Sequence, residues 1–384
     1  MAVIYVEIDP DGDILMILPH FIDLAWWDED IPPPDDDEEP KEADDDRQSL
    51  ASEATEEPST IETHFKVSVK HLTMASRRAK PMFAGNYIET QPQADGLCHW
   101  KFEPIFHPRA FEYVMNAIHG QTQKLPNVVS LQSLALIAVV VDDLDCRHAL
   151  WFFADIWIDH LGASVPDKIC SDLCRWILIS FVFEKPGPFK SATRVAILES
   201  KGPFSPDGLP IRPKMIEMID AEREGLLEVL IAQLHSLIQR ISDGVTCHVE
   251  CRSNVVGILI HEMMSTKAFS PRPCRPFVAL QLSAVTGMIR DFKLPGLYVS
   301  RGGRDGVPTN TWFVCRTKYI YSTTQDPMDD CGDIEIYMQS TRKERPSTLG
   351  RYVGRHECQL QTLVSSEITN LQTKVNGLEL SDFV

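Results

Sequence analysis

Apolar residues at Phe111, Val114, Met115 and Ile118 recur at three- and four-residue spacing, which predicts a helix over 109–119 with one buried face. Pro108 suits the first turn of that helix, where its missing N–H costs nothing. Ser130 is placed to cap a helix over 131–141, and Asp145 a helix over 146–161. Upstream, Val3–Ile8 and Ile14–Leu18 are β-rich runs separated by Asp-Pro-Asp-Gly-Asp, a turn composition that predicts a hairpin. Trp100, Phe102 and Ile105 form a further short strand, and His71–Phe83 has helical spacing.

Beyond residue 161 the pattern is mainly helical. The segment 167–183 is apolar nearly all round, which assigns it to an interior. Lys185–Pro188 and Gly202–Pro213 break the pattern. The longest helix is expected over 214–242, with Ile216, Ile219, Leu226, Leu227, Leu230, Leu234, Leu237 and Ile241 as its stripe. Helices over 249–264 and 281–292, a β-like run at 312–321 and a helix over 358–378 complete the reading. The fold class is therefore α+β.

Several blocks in order then carry a resemblance: IDPDGDILMIL (8–18), FKVSVKHLTMASRRAKPMF (65–83), AFEYVMNAIHG (110–120), LPNVVSLQSLALIAVVVDDLDC (125–146) and ALWFFADIWIDHL (149–161). Together they resemble the BTB/POZ domain of fungal interaction proteins. The resemblance implies a BTB/POZ-like domain over 1–161, a small sheet with helices, followed by a mainly helical domain over 162–384. It also implies a protein partner, or a second copy in a homodimer, and a surface centred on Phe111, Val114, Leu131, Leu134 and Ile137. Some family members bridge substrates to a cullin ubiquitin ligase and others regulate transcription or chromatin, so those roles are the alternatives to a plain scaffold. The chain departs from the wider family at 67–71, where many members have Ala-His-Lys, and at an acidic insertion over 28–60.

That insertion changes the electrostatic picture. Asp28–Glu57 holds 15 acidic residues against Lys41 and Arg47, so most of the net charge of −18 is concentrated there. So few apolar residues cannot offset the entropy of ordering, and the expectation for 28–59 is disorder. It serves as solvated filler, as an acidic ligand for a basic partner, or as modification sites at Ser49, Ser52 and Thr55. Scattered basic residues argue against a nucleic-acid partner. The longest apolar run, Leu134–Val141, is too short to span a bilayer, and no secretory signal opens the chain, which suggests a cytoplasmic or nuclear protein.

Catalytic constellations fail on inspection. His261-Glu262 has Ser265 where a zinc-protease helix needs its second His, and the Arg301–Gly306 loop lacks the Gly-Lys-Ser/Thr of a phosphate loop. No nucleophile elbow occurs, so the expectation is a non-enzyme without a catalytic cofactor. One cluster has ligand chemistry: Cys247 and Cys251, four apart at a helix start, with His356 and Cys358 at the start of the last helix. Antiparallel packing of the long and last helices would gather all four around a structural zinc, with Cys315 or Cys331 able to replace His356. The alternative is four ordinary reduced residues, since free Cys is commonly buried.

Overall fold

The structure is a computed structural model that describes residues 2–21, 60–162, 164–243, 249–291, 296–300, 312–315, 353–355 and 375–383. It is α+β and falls into two compact units: 1–196 with 205–218 and 377–384, and 197–204 with 219–376.

The first unit is built on a four-stranded mixed sheet: β1 (Ala2–Glu7), β2 (Ile14–Phe21), β3 (Thr60–Val67) and β4 (Cys98–Lys101), in the order β1-β3-β2-β4. β3 runs parallel to β1, with Tyr5 opposite His64, and antiparallel to β2, with Met16 opposite Phe65. The expected β1–β2 hairpin does not form, because β3 lies between the two strands. The Asp-Pro-Asp-Gly-Asp connection has to cross two strand spacings, about 10 Å. It does so by hanging on the end of β3: Ile8 and Asp9 N–H both donate to Lys66 O, and Asp13 N–H donates to Val67 O, each at 3.1 Å. Gly12 is required there, since a Cβ would stand 2.7 Å from Val67 O and 2.9 Å from Asp9 O.

Helices follow. Residues 71–83 divide into α1 (Val69–Ala75) and α2 (Ala79–Ala84), because Ser76 turns extended. Its buried hydroxyl donates to Leu144 O at 2.5 Å and accepts the Ala79 N–H at 2.9 Å. α3 (Pro108–Ile118) starts with its proline in the first turn, as expected, and turns Phe111, Val114, Met115 and Ile118 into the core. α4 (Leu131–Leu144) is capped by Ser130, whose Oγ accepts the Ser133 N–H. Asp145 does not cap the next helix. It is the left-handed residue that ends α4 (φ 47°, ψ 55°), tolerated because a short polar side chain suits that region. α5 (Arg147–His160) starts after Cys146 with no side-chain cap.

α6 (Ser171–Val182) is buried nearly all round, as its composition requires, and packs against α4. The breaker Pro186-Gly187-Pro188 in fact opens another helix, α7 (Pro186–Glu199), since proline is suited to a first turn. α8 (Pro213–Ser242) is the 30-residue helix the stripe predicts.

The second unit contains most of α8, then α9 (Val249–Ser265), α10 (Leu282–Arg290) and an antiparallel sheet of β5 (Gly296–Ser300), β6 (Trp312–Cys315) and β7 (Val353–Arg355) in the order β6-β5-β7. The buried line of α8 runs Ile219, Arg223, Leu227, Leu230, Leu234, Leu237, Ile241. Arg223 is fully buried in this line, its guanidinium donating to Pro276 O at 2.6 Å and Phe277 O at 3.5 Å. Of the helix expected over 358–378, residues 375–378 are non-helical and the rest lies outside the described residues.

Candidate interaction surface

The apolar residues expected to face a partner are interior. Phe111, Val114, Leu134 and Ile137 are each 0% exposed, and Leu131 is half-buried. Phe111 sits among Phe65, Phe102 and Phe106 at ring separations of 5.2, 5.5 and 5.9 Å. α4 is enclosed because α3 and α6 cover it on two sides. Phe111, Val114, Leu134 and Ile137 hold the unit together and present no surface to a partner.

Exposed apolar side chains lie elsewhere. β1 pairs through one edge only, and among the described residues no strand meets the other. Val3, Ile4 and Tyr5 are 55%, 50% and 54% exposed, and as consecutive strand residues they point to alternate faces. Glu7 is its only charged residue, and no lysine or proline guards its edge. An unpaired strand edge of this kind is a template for another chain, because its outward N–H and C=O groups remain to be paired. On α5, Trp151 and Phe152 touch edge to face at 5.9 Å, and both are exposed. The sequence pattern hides β1, since an apolar strand read as half of a hairpin is assigned to the interior.

Near the turn after β1, Asp9, His71 and His119 bring three ligand-type atoms within 4.8 Å of one another. The lone pair of His119 is already engaged: Nε2 accepts the Ser68 N–H at 3.0 Å, which assigns the proton to Nδ1, donating to Met115 O at 2.8 Å. Burial holds its pKa below the ordinary histidine value, in keeping with a neutral ring. A metal would have to break the Ser68 bond, so this trio is a junction of β3, α1 and α3.

Asp142, Asp143 and Asp145 at the end of α4 meet arginines. Arg212 reaches Asp142 at 3.4 Å, Arg78 pairs with Asp143, and Arg77 stands 4.0 Å from Asp145. Arg77, Arg147, Arg212, Phe181, Glu184 and Phe383 help line a cavity of about 300 Å³ beside them. The Arg147–Glu184 pair and the stacking of Arg212 on Phe181, 4.4 Å from its centroid, occupy its cations.

Comparison with protein-family models, curated proteins and solved structures finds no match. Among the described residues no helix is long and apolar enough to cross a membrane.

Of the four residues expected to hold zinc, Cys247, His356 and Cys358 lie outside the described residues, as does the alternative Cys331. Cys251 falls in α9 and the alternative Cys315 in β6, in both cases at positions where the backbone alone is described. The acidic stretch 28–59 and the 301–306 loop also lie outside. The described thiols are poor nucleophiles where they are buried: burial pushes Cys174 up to about 11 and Cys146 higher still, so neither is a thiolate at neutral pH.

Proposed function

We propose that this chain is a protein–protein interaction adaptor, not an enzyme, and that its first unit works as a BTB/POZ-type module. The observation that carries the reading is the outer edge of β1, which no strand meets among the described residues and where Val3, Ile4 and Tyr5 are exposed. Support comes also from the strand order β3-β2-β4, in which the FKVS strand pairs with the ILMIL strand, and from the helices that follow in the order of the motif blocks. The partner is a protein strand laid along this edge, supplied by another protein or a second copy, held by main-chain bonds and selected by the side chains at positions 3–5. A net charge of −18 argues against nucleic acid as the ligand. The reading goes with a cytoplasmic or nuclear location.

Lysine at an edge position opposes strand addition, so Ile4→Lys is the test. Wild-type chain is expected to associate with concentration in light scattering or to retain a partner from lysate, and Ile4→Lys to lose that property with its circular dichroism unchanged. A wild-type chain that stays monomeric and recovers nothing, or a variant that associates as well as wild type, sinks the reading.

A further inference from the structure

Residues 377–383 fold back on the first unit, against α7 and the first turn of α8. Their seat is specific at each step. Gly377 approaches α7 so closely that a Cβ built on it would stand 1.7 Å from Lys190 O and 2.8 Å from Thr193 Oγ1. Any side chain there meets helix backbone, which cannot move aside as a flexible side chain can. Thr193 is buried, and its hydroxyl donates to Phe189 O at 2.8 Å, the usual back-bond of a threonine inside a helix. Its acceptor side is used by a foreign group: the Leu378 N–H, at 2.9 Å.

Side chains extend the match. Leu378 and Leu380 are buried while Glu379 between them points outward to pair with Lys190. Lys214 donates to Asp382 O at 2.8 Å and lies 5.2 Å from the Phe383 ring centroid, and that ring meets Phe189 edge-on at 5.9 Å. A main-chain bond, alternate side chains in apolar seats and a charged flank are the means by which protein grooves read extended peptides.

The geometry points to a peptide-binding groove on α7 and the start of α8, specific for Gly-Leu-acidic-Leu segments that run non-helical through the acidic residue, extended there, and coil into a single 3-10 turn from the second leucine, and filled in cis by residues 377–383. Its selectivity comes from exclusion at the glycine and from the Thr193 hydroxyl. While the chain's own segment is seated, a tethered ligand outcompetes free peptide through its high effective concentration. The groove opens to a second chain only when that segment is released. This inference is independent of the β1 edge.

The test uses a dye-labelled peptide of residues 377–384 and fluorescence anisotropy. A chain shortened after Asn376 is expected to bind it saturably, and the same peptide with Gly377→Ala to bind at least about tenfold more weakly, the cost of overpacking a filled seat. Full-length wild-type chain is expected not to bind the labelled peptide. Full-length Gly377→Ala is expected to bind it at least about tenfold more tightly than full-length wild type does, because its own segment competes for the seat that much less. Failure of the peptide on a shortened chain that retains the full chain's circular dichroism overturns the proposal, as does equal binding of the alanine peptide. Should the shortened chain lose its fold, the full-length Gly377→Ala chain decides: uptake of the wild-type peptide supports the groove, and no uptake overturns it.

Discussion

β1 and β2 are both apolar strands of one sheet, separated by six residues of chain, and they end in opposite environments. β2 has a strand on each edge, and Ile14, Leu15, Met16 and Leu18 are buried on both of its faces. Among the described residues β1 has one neighbour, and it exposes Val3, Ile4 and Tyr5. Composition does not separate them; position does. β3, arriving from beyond the acidic insertion, takes the place beside β2 that β1 would hold in a hairpin. Burial in a sheet thus belongs to the strand order, which is a long-range property, and not to the apolar run itself.

The largest effect expected from breaking this arrangement comes from the shared neighbour. Phe65 of β3 is buried and packs on Phe111, so Phe65→Ala should lower unfolding free energy by about 3–5 kcal/mol in a urea titration. Gly12→Ala tests the crossing that separates the two strands. The Cβ would strike the Val67 and Asp9 carbonyls, and a loss of about 1–3 kcal/mol is expected by the same titration.

Acid should act on the far end of β3. Burial lowers the pKa of His119 in the folded state, where its neutral ring accepts the Ser68 N–H, whereas the unfolded chain takes up a proton near about 6.5. The unfolded state thus binds more protons below that value. Stability is full above it, declines as pH falls toward the lowered folded pKa, and levels off beyond it. Melting temperature against pH should show this decline, and His119→Gln should reduce it. His235, lowered mainly by burial and also by Arg272, supplies a remaining slope, while the lowered carboxyl of Glu62 acts at more acid pH. The smallest effect is the one that sharpens the contrast most: Ile4→Thr in β1 should change monomer stability by less than about 0.5 kcal/mol, while the matching Ile14→Thr in β2 exceeds it clearly.

Local chemistry was legible in the sequence. Pro108 and Ser130 mark helix starts because a cap or an N1 proline acts within a turn, and the α8 stripe shows because its period is local. Five other features were not. Arg223 has no place in the apolar stripe, and only its partners Pro276 O and Phe277 O, more than 50 residues away, make it interior. Asp145 has the composition of a cap, but which helix it serves depends on whether its backbone enters the left-handed region. Phe111, Val114, Leu134 and Ile137 fit a partner surface by sequence because an apolar stripe looks the same whether it meets another protein or the interior. The exposed edge of β1 followed only from strand order, and the seat of Gly377 from a contact across the length of the second unit's sequence.

That last contact bears on how the protein is made. Leu378 is synthesised 185 residues after Thr193, the residue whose hydroxyl it needs. At about 5–20 residues per second the ribosome takes roughly 10–40 s to cover that distance. The same delay separates the emergence of the two residues from the exit tunnel, so the seat on α7 waits that long for the segment that fills it. The nascent chain therefore leaves the apolar side of α7 beside Phe189 without its C-terminal cover for far longer than a helix takes to form.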